Sequence, residues 1–78
     1  IRVNAIAPGY ITNPTTMQLA ASGSYDPSAI HKRTPMGRMG TEDEVAEGIA
    51  FLLSPGSAGY ITGHTLEVNG GWTAYGFI

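Results

Sequence analysis

The sequence predicts an α/β fold built on a parallel sheet, and three observations support that prediction. An apolar run at residues 1–7 is typical of a buried strand, residues 63–69 are β-prone, and the strongest helix signal lies between them. A connection of this length suits two parallel strands joined by a right-handed crossover. Because parallel strands need cover on both faces, two strands and one strong helix predict the edge of a larger, doubly wound sheet.

The first strand ends at Pro8-Gly9. Ligands of open α/β sheets bind beyond the carboxyl ends of the strands, so the loop that follows is the candidate site. Pro8 removes one N–H donor and Gly9 allows a turn without a Cβ, which leaves the following amides and carbonyls for a partner. Such a backbone edge matches a planar carboxamide. The alternative interpretation is a simple strand-ending turn, which is a common role of Pro-Gly.

The segment between the first strand and the strong helix is rich in Thr, Asn and Ser, and we predict a loop or short helix around residues 15–21. Asp26-Pro27 is a helix-start signal, because Asp caps free amides and Pro is tolerated in the first turn. A short helix is therefore expected over residues 27–32. Turn-rich residues 34–40 complete the connection.

The strong helix begins at Thr41, which forms a predicted capping box with Glu44 three residues later. Gly48 inside the helix costs about 1 kcal/mol relative to Ala, which indicates that another backbone packs closely there. Pro55-Gly56 is predicted to end the helix. The apolar stripe consists of Val45, Ile49, Leu52 and Leu53.

The second strand alternates in polarity and ends at Gly70-Gly71. Residues 72–78 then form an apolar tail with three aromatic residues, which is expected to dock on its own subunit or on a second copy. Two polar residues are predicted to be structural: Arg38 through a buried ion pair or carbonyl contacts, and Asn4 through bonds to nearby backbone. For Arg38 the alternative is a phosphate contact.

Composition excludes several classes of protein. The 78 residues contain no Cys and two His in unrelated contexts, so neither disulfides nor a metal site are expected. The net charge is −2 and the four cationic residues form no stripe, which argues against nucleic acid as a partner. No apolar run approaches the roughly 20 residues that cross a bilayer, so no membrane association is expected. The absence of Cys favours a cytoplasmic location.

Three segments match, in order and spacing, the end of a known family: RVNAIAPGYIT, TPMGRMGTEDEVAEGIAFLLSP and YITGHTLEVNGGW. With them the chain resembles the C-terminal part of the short-chain dehydrogenase/reductase family. The resemblance implies a Rossmann-type doubly wound parallel sheet, of which this chain supplies the last two strands, the lid segment and the last helix. Residues 1–78 are then expected to be the C-terminal part of a single NAD(P)-binding domain whose N-terminal part is absent.

The resemblance also implies roles for the loop after the first strand. Pro8, Gly9 and the backbone of Ile11 would contact the nicotinamide end of NAD or NADP, with Ile11 meeting the carboxamide. Thr12 would reach the carboxamide or the pyrophosphate. The Thr stands one place earlier than in the usual family form, so either Thr12 or Asn13 takes the family role.

Residues 14–33, here called the lid segment, correspond to the variable substrate lid of the family. Tyr10 and Met17 are candidates to line the substrate pocket, and ordinary loop packing is the alternative. The implied reaction is hydride exchange between NAD(P)(H) and a carbonyl or secondary alcohol of a sugar, polyol, oxo acid or oxoacyl compound. The alternative function is a non-catalytic association module or a remnant of such an enzyme.

The catalytic residues of the family are not expected in this segment. The sequence contains no counterpart of the family's Tyr and Lys four residues apart, of its catalytic Ser, or of its Gly-rich phosphate turn. The segment alone should therefore be inactive. The resemblance further implies a homotetramer or dimer that associates through the last helix, the last strand and the tail.

Overall fold

The computed structural model describes residues 1–23 and 26–74. The strands are β1 (Ala5–Pro8), β2 (Ile11–Thr12), β3 (Gly40–Thr41) and β4 (Thr65–Val68). The helices are α1 (Pro14–Ala21), α2 (Ser28–Arg33), α3 (Glu42–Leu53) and α4 (Pro55–Ala58), and a 3₁₀ turn spans Trp72–Ala74. Each predicted strand and helix is therefore present. The predicted docking of the tail lies largely outside the described residues.

The predicted parallel pairing of the two main strands is confirmed. β1 and β4 lie side by side, with Ile6 opposite Leu66 and Pro8 opposite Val68. A second parallel pair, β2 with β3, was not predicted, because two residues per strand are too few to show a periodicity. This second pair fastens the loop after β1 to the amino end of α3.

Helix α3 covers one face of the β1–β4 pair and approaches it closely at Gly48. A Cβ at Gly48 would lie 3.2 Å from Val68 Cγ2, 3.4 Å from Ile6 Cδ1 and 3.6 Å from Leu66 Cδ2. Gly48 therefore marks a close approach, as its position in the sequence suggested. The neighbouring atoms are side chains of the strands, however, and not another backbone.

The apolar stripe of α3 differs from the prediction at its carboxyl end. Leu52 is buried, with 6% of its surface exposed, whereas Leu53 keeps 72% exposed. Placing Leu53 with the packed residues of the stripe was wrong, and Ile49 is packed only in part, since it keeps 43% of its surface exposed. Seven residues after Val45 the helix returns to within about 20° of the same direction, whereas the eighth residue lies about 80° away.

The amino end of α3 is closed as predicted. Thr41 Oγ1 accepts a hydrogen bond from the N–H of Glu44, and the Glu44 carboxylate accepts one from the N–H of Thr41. Arg38 donates to both oxygens of the same carboxylate, at 2.9 and 2.8 Å, and to the carbonyl of Met39 at 3.0 Å. The predicted structural role of Arg38 and its carbonyl contact are thus confirmed, whereas a buried ion pair was wrong, because the pair with Glu44 is exposed to solvent.

Strand β1 starts later than predicted. The Arg2 guanidinium donates to the carbonyls of Leu52 and Ile61, and Asn4 Nδ2 donates to Ile61 as well. These bonds hold residues 1–4 against the end of α3, so strand pairing begins only at Ala5. Asn4 bonds to backbone as predicted, but its partners are Ile61 and His64 and not backbone nearby in the sequence.

The structure is a thin layer that measures 46 × 33 × 15 Å. Its first strand was predicted to be covered on both faces, but Ala5 and Pro8 are exposed in this chain. Because α3 lies on one face only, the sheet has the incomplete cover expected at the edge of a larger parallel sheet. Among the described residues, no helix has both the length and the apolar character needed to span a membrane.

Candidate functional site

The carboxyl ends of β1 and β4 meet at Gly9. The N–H of Gly9 donates to the carbonyl of Val68 at 2.9 Å. A Cβ on Gly9 would lie 2.8 Å from the Cβ and 2.9 Å from the Cα of Asn69. Only glycine fits this approach without moving the backbone, so the Pro-Gly turn brings the loop tightly against the end of β4.

The loop after Gly9 presents unused backbone groups. The carbonyl of Tyr10 accepts from the N–H of Gly40 at 3.0 Å, and Ile11 lies opposite Gly40 in the β2–β3 pair. In a parallel pair, every second residue of a strand forms its backbone hydrogen bonds with the neighbouring strand, and the residues between them point their N–H and C=O groups away from it. The N–H and C=O of Ile11 therefore point away from β3. They form an adjacent donor and acceptor, which is the pattern that a planar carboxamide needs.

Thr12 and Asn13 are the two candidates for the polar side chain of this loop, and the structure places them differently. Asn13 is the N-cap of α1, and its Oδ1 accepts from the N–H of Thr16 at 2.9 Å. Thr16 Oγ1 in turn accepts from the N–H of Asn13. Thr12 lies in β2 and is half-buried. The side-chain oxygen of Asn13 is therefore engaged in closing a helix.

A cleft of about 350 Å³ opens at the same edge of the sheet. Polar groups line one part of it, where Asn69 Nδ2 donates to Thr73 Oγ1 at 2.9 Å and Thr73 Oγ1 donates to Glu67 Oε2 at 2.7 Å. The lining residues are Ala7, Pro8, Gly9, Tyr10, Glu67, Asn69, Trp72 and Thr73. The loop after β1 and the turn after β4 thus enclose one concave surface.

The two pocket-lining candidates of the sequence lie in different surroundings. Tyr10 borders this cleft, and its ring centroid lies 5.2 Å from that of Trp72, with 53° between the ring planes. The guanidinium carbon of Arg33 lies over the Trp72 ring, 4.3 Å from its centroid. Met17 is exposed on α1 and does not line this cleft. The structure thus brings Tyr10, but not Met17, to the cleft.

Sequence reasoning missed Asn69 and Trp72, which line the cleft beside the Pro-Gly loop, and Arg33, which contacts Trp72. The local signal for them was Gly70-Gly71, which both adopt positive φ values, 62° and 93°, and so turn the chain back toward the loop. Two consecutive glycines at the end of a strand indicate such a turn. They do not indicate which side chains the turn brings together.

The electrostatics of the neighbouring helix end disfavour anions. The hydrogen bond from Arg38, followed by that from the Thr41 backbone, lowers the pKa of Glu44 to about 2, so this carboxylate stays charged at neutral pH. Glu42 and Asp43 add two further carboxylates to the first turn of α3. Within residues 1–23 and 26–74, no group of three or more His, Asp and Glu side chains is placed to hold a metal ion.

Comparison with known proteins connects this geometry to a family. Residues 1–73 match the family model described as enoyl-(acyl carrier protein) reductase. The chain is 49% identical over 72 residues to an uncharacterized short-chain type dehydrogenase/reductase of Sinorhizobium fredii, a match that covers 92% of this chain and 13% of that protein.

Solved structures show the same arrangement of strands and helices. ElxO with NADP bound superposes with a TM-score of 0.87 and 37% identity, over 96% of this chain and 30% of that one. A protein described as a D-mannonate oxidoreductase of Haemophilus influenza, with bound NAD, superposes with a TM-score of 0.83 and 34% identity, over 96% of this chain and 28% of that one.

The parallel β1–β4 pair, with a Pro-Gly loop at its carboxyl end, defines an α/β sheet of the class that binds ligands at this edge. Together with the matches in sequence and in structure, it shows that the chain belongs to the short-chain dehydrogenase/reductase family. The chain spans 13% of the length of the Sinorhizobium fredii relative and 29% of that of a tropinone reductase homolog of Arabidopsis thaliana.

Proposed function

We propose that the chain is the C-terminal part of a single NAD(P)-binding, Rossmann-type domain. The full-length protein exchanges hydride between NAD(H) or NADP(H) and a carbonyl compound or secondary alcohol. The observation that carries this proposal is the backbone of Ile11, whose N–H and C=O point away from β3 beside the Pro-Gly turn. The relatives with bound NADP and NAD support the choice of cofactor.

Residues 8–13, here called the nicotinamide loop, hold the nicotinamide end of the cofactor in this proposal. The Ile11 N–H donates to the carboxamide oxygen and the Ile11 carbonyl accepts from the carboxamide nitrogen. Pro8 and Gly9 supply the surface beside it, and the Thr12 hydroxyl reaches the carboxamide or the pyrophosphate. We choose Thr12 over Asn13 because the Asn13 oxygen closes α1. The bound cofactor supplies or accepts the hydride, and the protein supplies binding and orientation.

The groups that transfer the proton lie outside this chain in our proposal. None of the 78 residues pairs a Tyr with a Lys four positions later. The segment therefore contributes binding and orientation, and it has no activity by itself. We place the complete enzyme in the cytoplasm as a homotetramer or dimer that associates through α3, β4 and the tail.

We infer that the lid segment and Tyr10 select the substrate, with Met17 reaching the pocket only if the lid segment moves over it. The Thr and Ser content of the lid segment favours a polar substrate such as a sugar, polyol or oxo acid. The relative described as a D-mannonate oxidoreductase supports this substrate class.

A second candidate function is association without catalysis, and the exposed apolar side chains of α3 favour it. Ile49, Phe51 and Leu53 all keep more than two fifths of their surface exposed. An exposed apolar surface of this kind is typical of a protein–protein contact. Binding of neither cofactor by the full-length protein would favour this alternative.

The test is a fluorescence titration of the full-length protein with NADH and with NADPH. We expect one of them to bind, and Thr12→Val to weaken that binding about three- to tenfold, because the variant removes one hydrogen bond and keeps the side-chain shape. Thr15→Val makes the same change at an exposed position of α1 and should leave the Kd unchanged. An unchanged Kd for Thr12→Val would remove Thr12 from the site.

A further inference from the structure

Trp72 contacts two parts of the chain that are far apart in the sequence. The guanidinium carbon of Arg33 lies 4.3 Å from the Trp72 ring centroid, and the ring of Tyr10 lies 5.2 Å from it. Arg33 is the last residue of α2 and so the end of the lid segment. Tyr10 directly follows Gly9 in the nicotinamide loop. One side chain therefore joins the lid segment to the nicotinamide loop.

The turn after β4 is held directly against the chain that follows the lid segment. The N–H of Met36 donates to the carbonyl of Gly70 at 3.1 Å. A Cβ on Gly70 would lie 3.0 Å from Thr34 Cγ2, and one on Gly71 would lie 3.1 Å from Pro35 Cβ. The two glycines thus let the turn pack against the end of α2 at a distance that other residues would prevent.

The backbone of Trp72 is fixed from its own side as well. Its N–H donates to the carbonyl of Asn69 at 3.1 Å, and Asn69 Oδ1 accepts from the N–H of Gly71 at 3.1 Å. Asn69 Nδ2 donates to Thr73 Oγ1. The turn is therefore anchored to β4, and it carries the indole ring that contacts both Arg33 and Tyr10.

We propose that Trp72 is a positioning residue that couples the lid segment to the nicotinamide loop, so that order in α2 and the position of Tyr10 change together. The inference rests on the proposed function, which gives that loop its cofactor. A cofactor that orders the nicotinamide loop holds Tyr10 against Trp72, and Trp72 then holds Arg33. Removing the indole breaks this connection and leaves the backbone of Ile11 in place.

Trypsin cleavage after Lys32 in the full-length protein measures the order of α2. Lys32 is exposed and precedes Arg33. When opening is fast relative to cleavage, the cleavage rate follows the population of the open state. The rate for each variant is measured by mass spectrometry and divided by that for a peptide of residues 26–37 with the same sequence. The matched control is Tyr60→Leu, which truncates an exposed aromatic residue outside the site.

Without cofactor, we expect Trp72→Leu to be cleaved about fivefold faster than the wild type, as loss of the cation–π and ring contacts predicts. Trp72→Phe keeps an aromatic ring and should stay within about twofold of the wild type, as should the Tyr60→Leu control. Arg33→Met should resemble Trp72→Leu, and the double variant should be cleaved no faster than Trp72→Leu alone. Equal cleavage rates for Trp72→Leu and Tyr60→Leu would overturn the proposal. So would a double variant whose rate increase equals the product of the increases in Trp72→Leu and Arg33→Met.

The second measurement repeats the cleavage at saturating NADH or NADPH, with saturation determined for each variant. We expect the cofactor to slow cleavage of the wild type and of Trp72→Phe about fivefold or more, since ligand binding stabilises the ordered state. Cleavage of Trp72→Leu should be unaffected by cofactor. Equal protection of Trp72→Leu would overturn the coupling. Binding of neither cofactor by the wild type would instead overturn the proposed function, and the coupling with it.

Discussion

Glu44 shows how one side chain closes a helix and fixes a neighbouring turn. Its carboxylate accepts from the backbone of Thr41 and from both terminal nitrogens of Arg38. The hydrogen bond from Arg38 is the largest cause of its lowered pKa, which falls from an ordinary 4.5 to about 2. The same hydrogen bond raises the pKa of Arg38. Both residues therefore remain charged throughout the physiological pH range.

The lowered pKa of Glu44 predicts a pH-dependent stability. Because the folded pKa of about 2 lies below the ordinary 4.5, the carboxylate contributes fully to the free energy of unfolding above pH 4.5, and this contribution is lost as the pH falls to 2. In the full-length protein, Glu44→Gln should therefore lower the urea midpoint at pH 7 and have a progressively smaller effect toward pH 2.

The matched control for this experiment is Glu47→Gln, which removes an exposed carboxylate of α3 outside the capping box. It should not reproduce the pH-dependent difference. A Glu44→Gln effect that is the same at pH 2 and pH 7 would show that the ion pair does not determine stability.

At the scale of elements, the packing of α3 on the β1–β4 pair depends on the space at Gly48. Ile6 and Val68 both come close to this position. The amphipathic pattern of α3 predicted that the helix packs on the sheet, because apolar residues recur with the helical period. It could not predict that the close contact involves strand side chains, because their spacing depends on strand register, which is a tertiary property.

Substitutions at Gly48 in the full-length protein test this packing through urea unfolding. Gly48→Ala should change the free energy of unfolding by less than about 1 kcal/mol, because the gain in helix propensity offsets mild crowding. Gly48→Val adds two methyl groups toward Ile6 and Val68 and should cost about 1–3 kcal/mol. Ala50→Val, an exposed position of α3, controls for the helix propensity of Val. If Gly48→Val costs no more than Ala50→Val, the close contact is not restrictive.

For the whole molecule, the chain is more open than a compact domain of its length. Its radius of gyration is 14.9 Å. A compact domain of this length would have a radius near 11–12 Å by the usual scaling, taking roughly 2.2 Å times the chain length to the power 0.38. The buried apolar residues of the described structure are Met39, Leu52 and Ala58. A core this small agrees with our proposal that further chain completes the sheet.

The segment expressed alone should therefore expose apolar surface that the full-length protein covers. We expect it to raise the fluorescence of 8-anilinonaphthalene-1-sulfonate strongly and to unfold without a cooperative urea transition. The full-length protein at the same molar concentration is the control. It should not raise the dye fluorescence strongly, and it should unfold in a cooperative urea transition. Cooperative unfolding of the segment, without dye binding, would show that it is a domain in its own right.

The local features of the sequence determined the two main strands, β1 and β4, the helices α1, α2 and α3, and the ends of α3. Capping boxes, Pro-Gly and paired glycines act within a few residues, so Thr41 with Glu44 and the strand end at Pro8 were predictable. The likeness of three segments to one family predicted the class of protein, which the comparisons confirmed.

Tertiary structure alone decided which side chains share the site. Arg33, Tyr10 and Trp72 lie in three segments joined by long connections, and no local periodicity links them. The β2–β3 pair and the capping role of Asn13 likewise appear only once the chain returns on itself. The physical reason is that local signals set the conformation of each segment, whereas contacts between segments depend on the register and direction with which the strands pair.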